Sequence, residues 1–276
     1  MSQKQVSIEI GGFCARIRAQ NPVIFRTVMQ QFGGFTSTRK PHFIIEFTGQ
    51  PTTHDGRVNL NAMRIVRDGA TFIIRAGLSL HNQAHPHTID IGSIDMKKKK
   101  CLISSTGKAL ICPTILSCFQ IFLLNANGFI LHASAVVKEN KAFVFTGPSG
   151  SGKSTVAGRK HGGIVLADDL ICIRKFGNHF MAYGTPWHNK HSQRPANIKG
   201  IFFLEHARAT EFDDIASGSA AHELMANISM NVDDRAIQER LLRTLSKLVA
   251  KRFCRWMRFS LRDPFWKLLE EKYLER

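Results

Sequence analysis

Hydrophobic and polar positions alternate over much of the first hundred residues. Val6–Ile10 and Cys14–Ile17 carry the two-residue period of half-buried strands and flank Gly11-Gly12, a hairpin signal. Phe43–Phe47, Arg57–Val66, Thr71–Arg75, Thr88–Ile94 and Cys101–Ser104 predict further strands, separated by Gly, Pro, Asn and Asp clusters. Lys97–Lys100 falls between two of them and reads as a solvated turn. Beyond Lys108 the pattern changes. Thr114–Leu124 is apolar on every side and predicts a buried helix. Phe129–Val137, Lys141–Thr146 and Ile164–Ala167 are apolar runs rich in β-branched and aromatic residues, the mark of buried strands. From Asp234 to about Leu261, Ile237, Leu241, Leu245, Leu248, Val249, Phe253, Trp256 and Met257 recur at three- and four-residue spacing. That spacing predicts one long terminal helix, with Arg240, Arg243, Lys247, Lys251, Arg255 and Arg258 on its remaining surface.

The order of these elements predicts an α/β protein, α+β overall, in two parts. A β-rich N-terminal domain would span residues 1–112. An α/β domain would span 113–276 and end in a basic helix over about 234–262. No linker-like stretch marks the boundary, which falls somewhere in Cys112–Asn127.

Composition then narrows the classes. Of 276 residues 43% are hydrophobic and only 9 are proline, which excludes a disordered or collagen-like chain. The formal charge is +17, which first suggests nucleic acid or an anionic membrane as partner. Its distribution qualifies that reading. Residues 1–125 hold 15 basic and 6 acidic side chains, 126–234 hold 11 and 10, and 235–276 hold 12 and 5. The excess sits at the two ends, and neither a recognition helix nor a zinc module nor an RNA-binding aromatic motif accompanies it. Nucleic acid is therefore not the expected partner; an acidic protein or acceptor is. Between Lys108 and Lys138 there is no Asp, Glu, Lys or Arg, but Pro113 and Asn125–Gly128 interrupt the stretch. Its uninterrupted apolar run, Thr114–Leu124, is shorter than the ~20 residues of a membrane-spanning helix. A soluble, cytoplasmic protein without a transmembrane span is the expectation. The six cysteines form no Cys-x-x-Cys pair and read as free thiols in a reducing compartment.

Candidate chemistry lies in the neutral middle. Residues 147–154 read Gly-Pro-Ser-Gly-Ser-Gly-Lys-Ser, a complete G-x-x-x-x-G-K-[ST] phosphate loop, placed between a predicted strand and a predicted helix. Glycines let backbone N–H groups turn toward phosphate oxygens, and the helix that follows adds its positive end. Gly147, Pro148, Ser149, Gly150, Ser151, Gly152, Lys153, Ser154 and Thr155 are the candidate nucleotide-binding residues. Lys153 would reach the β/γ-phosphates and the Ser154 hydroxyl would complete a Mg²⁺ shell. Asp168-Asp169 ends the next strand. Such a pair is often only a turn, but here the spacing matters. A helix over Ser154–His161 rises ~12 Å at ~1.5 Å per residue. Gly162-Gly163 reverses the chain, and the strand Ile164–Asp168 returns ~16 Å at ~3.3 Å per residue. The carboxylates arrive back at phosphate level, where a catalytic base or a metal ligand belongs.

This ordered series resembles the HPr kinase/phosphorylase family, whose nucleotide domain is related to phosphoenolpyruvate carboxykinase. The resemblance covers roughly Gly128 to Glu205. It rests on His132 in Phe-Ile-Leu-His-Ala-Ser-Ala-Val-Val, the phosphate loop, Val-Leu-Ala-Asp-Asp at 165–169, and Gly184 in Tyr-Gly-Thr-Pro-Trp. It implies ATP and Mg²⁺ as cofactors, with Asp168 or Asp169 as acid/base, His132 setting that aspartate's protonation, and Ser154 and Asp169 on the metal. The chain departs from the family's protein-kinase members at His132-Ala133, where they have His-Gly. It also departs at Met181 and Tyr183, where they carry a glutamate and an arginine. Pro186-Trp187 is more like divergent relatives that phosphorylate a peptide or a small hydroxylated molecule, so the reverse phosphorylase reaction is not implied.

Two functions follow as expectations. The first is an ATP-dependent kinase that phosphorylates a hydroxyl on a peptide, a protein or a small molecule. The second is a nucleotide-binding regulatory or scaffold protein whose basic ends engage an acidic partner. Relatives commonly assemble, and the apolar stripe after Asp234 would suit a homo-oligomer. Of two histidine clusters, His85-Pro86-His87 reads as an exposed loop, and Trp187-His188-Asn189-Lys190-His191, after the candidate site, reads as an ordinary loop or as one facing the acceptor.

Overall fold

Gly11 and Gly12 both adopt positive φ, 58° and 75°, the mirror-image turn that a tight hairpin needs. Around them β1 (Lys4–Ile10) pairs antiparallel with β2 (Phe13–Ala19). The computed structural model describes residues 3–48, 58–78, 87–104, 107–187 and 194–274. His85, Pro86 and His188–His191 lie outside them. The chain divides into two compact units, residues 1–125 with 230–238, and residues 126–229 with 239–276.

In the first unit β1 and β2 are followed by α1 (Pro22–Phe32), a helix that the alternation of the early chain does not announce. Its signals are local. The Asn21 side chain accepts from the Val23 N–H at 2.8 Å, Pro22 opens the first turn, and Ile24, Val28 and Phe32 bury one face. Then come β3 (Phe43–Phe47), β4 (Val58–Asp68), β5 (Thr71–Leu78), β6 (His87–Asp95) and β7 (Lys100–Ile103). With β15 (Val232–Asp233) they form a mixed sheet ordered β1-β2-β3-β7-β6-β5-β4-β15. The helix α2 (Ile111–Asn125) belongs to this unit, so the boundary lies at 125/126 and not at 112/113. The helical segment 108–125 is also longer than its apolar run suggests, and by length and composition it could cross a membrane. Most of it is instead buried in the protein, with Phe119 and Phe122 against Phe43 at ring-centroid distances of 5.1 and 3.9 Å.

The second unit opens with β8 (Gly128–Lys138) and β9 (Lys141–Thr146). There follow α3 (Lys153–Gly158), β10 (Ile164–Ala167), β11 (Leu170–Phe176), β12 (His179–Tyr183) and β13 (Ala196–His206). After these come β14 (Glu211–Asp214), α4 (Ser217–Asn227), α5 (Arg235–Val249), β16 (Cys254–Phe259) and α6 (Phe265–Tyr273), with residues 235–238 of α5 counted in the first unit. The strand pairings run in a ring, β8 to β11 to β12 to β13 to β9 and back to β8. β10 extends one edge of β8, and β16 with β14 continue from β13. Phe143, Phe145, Phe202, Phe259 and Trp266 fill the core beside β9 and β13, and the buried Trp266 Nε1 donates to the Val156 carbonyl at 3.0 Å.

In place of one long terminal helix over about 234–262 the chain forms a helix and then a strand. α5 stops at Val249, Arg252 turns the chain with φ 55°, and residues 254–259 form β16, parallel to β13. Phe253, Trp256 and Met257 continue a helical spacing by coincidence, because a short apolar run does not distinguish strand from helix. Two of the expected basic-face residues are consequently strand residues paired with β14: Arg255 Nε lies 3.0 Å from Asp214, and Arg258 Nε donates to Asp213 at 3.1 Å. All six cysteines are free thiols. Burial pushes the Cys172 and Cys254 thiols up to about 12 and Cys112 to about 11, so they are poor nucleophiles.

Candidate nucleotide and phosphotransfer site

The glycines of the loop after β9 have distinct reasons to be glycine. Gly147, Gly150 and Gly152 take φ values of 146°, 81° and 94°, which disfavour any other residue. A Cβ on Gly147 would meet the Leu204 carbonyl at 3.3 Å, and one on Gly152 would lie 2.6 Å from Phe259 Cζ. The loop is thus pressed against the ends of β13 and β16. The Ser151 N–H closes a turn on the Pro148 carbonyl at 3.2 Å.

Lys153 is 8% exposed and folds back along the loop, its Nζ donating to the Gly147 and Pro148 carbonyls, both at 2.8 Å. Burial lowers its pKa, and the negative charge of Asp169 acts in the opposite direction. Two of the three ammonium N–H donors are used, which leaves one for a ligand. α3 is shorter than the expected Ser154–His161 helix, ending at Gly158. The return is made by Gly162 at φ 81° and by Gly163, where a Cβ would lie 2.6 Å from Val136 Cγ1.

The carboxylates are placed by β8. β10 and β11 lie end to end on one edge of that strand, with Ala167 opposite Ala135 and Leu170 opposite His132. Asp168-Asp169 spans the junction without a change of register. The Ala133 N–H donates to the Asp169 carbonyl at 2.9 Å and the Ser134 hydroxyl to the Asp168 carbonyl at 3.1 Å. The Ser154 hydroxyl reaches that same Asp168 carbonyl at 3.3 Å, tying the start of α3 to the acidic pair. His132 Nε2 and Asp169 Oδ1 are 2.7 Å apart, and Thr146 at the end of β9 donates to the His132 carbonyl at 3.0 Å.

These side chains share one cleft of about 330 Å³, lined by His132, Ser149, Gly150, Gly152, Lys153, Ser154, Thr155, Asp168 and Asp169. Gly147, Pro148 and Ser151 do not line it; Gly147 and Ser151 are buried and Pro148 is exposed. Met181 and Tyr183 are elsewhere, in a separate hollow with Phe176, His179 and Asn197. One neighbour of the loop escapes a reading of the sequence: His206, at the end of β13, whose Nε2 is 3.2 Å from the Gly150 carbonyl. Nothing local marks it, since parallel pairing with β9 is what brings the end of β13 to the loop. Among the described residues no group of three or more His, Cys, Asp and Glu side chains is arranged to hold a metal ion by itself.

No protein-family model matches the chain, and no curated protein sequence does. Among solved structures it is similar to the Hpr(Ser) kinase/phosphatase from Coxiella burnetii, at 13% identity and a TM-score of 0.25, over 44% of this chain and 90% of that one.

Proposed function

We propose that the protein is an ATP-dependent kinase that transfers the γ-phosphoryl group to a hydroxyl of a peptide, a protein or a small molecule. The observation that carries this reading is the shared cleft. A phosphate loop, its lysine and two consecutive carboxylates open onto the same space, and a histidine sits on one of those carboxylates. The backbone N–H groups of Ser149, Gly150 and Gly152 to Thr155 would cradle the phosphates, with the third Lys153 donor on a phosphate oxygen. Asp169 takes the proton of the acceptor hydroxyl, since His132 is hydrogen-bonded to it and can share that proton. The hydroxyl oxygen then forms its bond to the γ-phosphorus, the bond from that phosphorus to the bridging oxygen breaks, and ADP departs. Lys153 offsets the charge that develops.

The donor set suits Mg²⁺. Ser154 and the Asp168–Asp169 pair offer hard oxygen ligands in small number, and magnesium completes such a shell with phosphate oxygens and water. Bound there, the ion would neutralise phosphate charge.

Phosphate release from ATP, with water or added serine peptides as acceptor, tests the proposal. Turnover is expected to disappear in Lys153→Ala and in at least one of Asp168→Asn and Asp169→Asn. Equal turnover in the wild type and all three variants would overturn it.

A further inference from the structure

The phosphate loop is held from its far side as well as from its lysine. Gly150 and Gly152 bracket Ser151 with left-handed backbone, a stretch that glycine leaves free to rearrange. Two contacts restrain it. His206 Nε2 lies 3.2 Å from the Gly150 carbonyl, and the His206 ring packs on Phe259 at a centroid distance of 5.0 Å. The same two rings back Gly152, where a Cβ would stand 2.6 Å from Phe259 Cζ and 3.4 Å from His206 Cε1. A trans peptide points its carbonyl and the following N–H in opposite directions. Fixing the Gly150 carbonyl toward His206 therefore fixes the N–H of Ser151 as well, and it sits on Pro148, the residue whose carbonyl also receives Lys153. Gly150 lines the cleft, whereas His206 does not.

We infer that His206 is a positioning residue for nucleotide binding. By donating from Nε2 to the Gly150 carbonyl it holds the loop in one conformation, which lowers the ordering cost when phosphate enters. This rests on the proposed nucleotide site. The chemistry required at 206 is a side-chain N–H donor of the reach of histidine, and glutamine meets it where alanine does not.

The test is a titration with a fluorescent ATP analogue in the presence of Mg²⁺, on the full chain. His206→Ala is expected to weaken binding by roughly two- to tenfold, the size of one neutral hydrogen bond. His206→Gln is expected to recover most of that loss. Thermal melts should agree for all three proteins, because the side chain is exposed. Unchanged affinity in His206→Ala, or equal loss in both variants, would overturn the inference while leaving the site intact. A wild type that binds no analogue would overturn the nucleotide site and this inference with it.

Discussion

Two stretches of the second unit carry its conspicuous cations and treat them in opposite ways. In the loop after β9 a single lysine is buried, held by two carbonyls, and faces two carboxylates across a cleft. Between Lys251 and Arg258 four cations crowd eight residues, yet Arg255 and Arg258 are spent on Asp213 and Asp214 of the neighbouring strand. The richer cluster is thus partly neutralised inside its own sheet. On the proposed reading, an anion site is marked not by charge density along the chain but by a desolvated cation with a spare donor beside backbone N–H groups.

Substitutions can break this contrast, beginning with the strongest. Lys153→Ala should reduce phosphate release by ~100-fold or more, the scale of losing a charge stabiliser at the reacting group. Arg258→Ala, by the same assay, should leave turnover unchanged; a comparable loss there would erase the distinction between the two stretches. Gly152→Ala comes next. It combines a φ of 94° with a Cβ 2.6 Å from Phe259, and a penalty of about 1–3 kcal/mol in urea unfolding is expected from the backbone conformation alone. Gly150→Ala isolates that backbone effect, because nothing lies within 4 Å of its Cβ; it should cost less than Gly152→Ala.

The smallest effect belongs to a pairing in the first unit. Asp234 accepts from the Ile237 N–H at 2.8 Å and is ion-paired with Arg67. The hydrogen bond from Arg67 is the main cause that holds its carboxyl below the ordinary value of 3.8. A depressed carboxyl pKa means that the unfolded chain binds the proton more readily. The stabilisation is therefore complete above pH 3.8 and lost as pH falls through the lower, folded value. Asp234→Asn keeps a capping oxygen and removes the charge. Its urea midpoint should lie below that of the wild type at pH 6, and the gap should close in acid; a gap constant with pH would contradict the assignment.

What the chain discloses by itself follows the range of each interaction. The hairpin at Gly11-Gly12 and β3 are legible because their signals are local. α1 was equally local, with Asn21-Pro22 ahead of Ile24, Val28 and Phe32, but its pattern is short and lies among alternating strands. The terminal segment misled because Phe253, Trp256 and Met257 keep a helical spacing, and only pairing with β13 makes them strand residues. Within the site, the loop and Asp168-Asp169 stand in one short loop–helix–turn–strand unit, so their meeting follows from rise per residue. His206 and Phe259 arrive from remote strands, and no local pattern announces their contact with the loop.

The most direct test of the central claim is calorimetric titration of wild type and Lys153→Ala with a non-hydrolysable ATP analogue and Mg²⁺. One saturable site is expected in the wild type, weakened at least ~10-fold in the variant, in keeping with loss of a charged hydrogen bond. No saturable binding to the wild type, or equal affinity in both proteins, would contradict it.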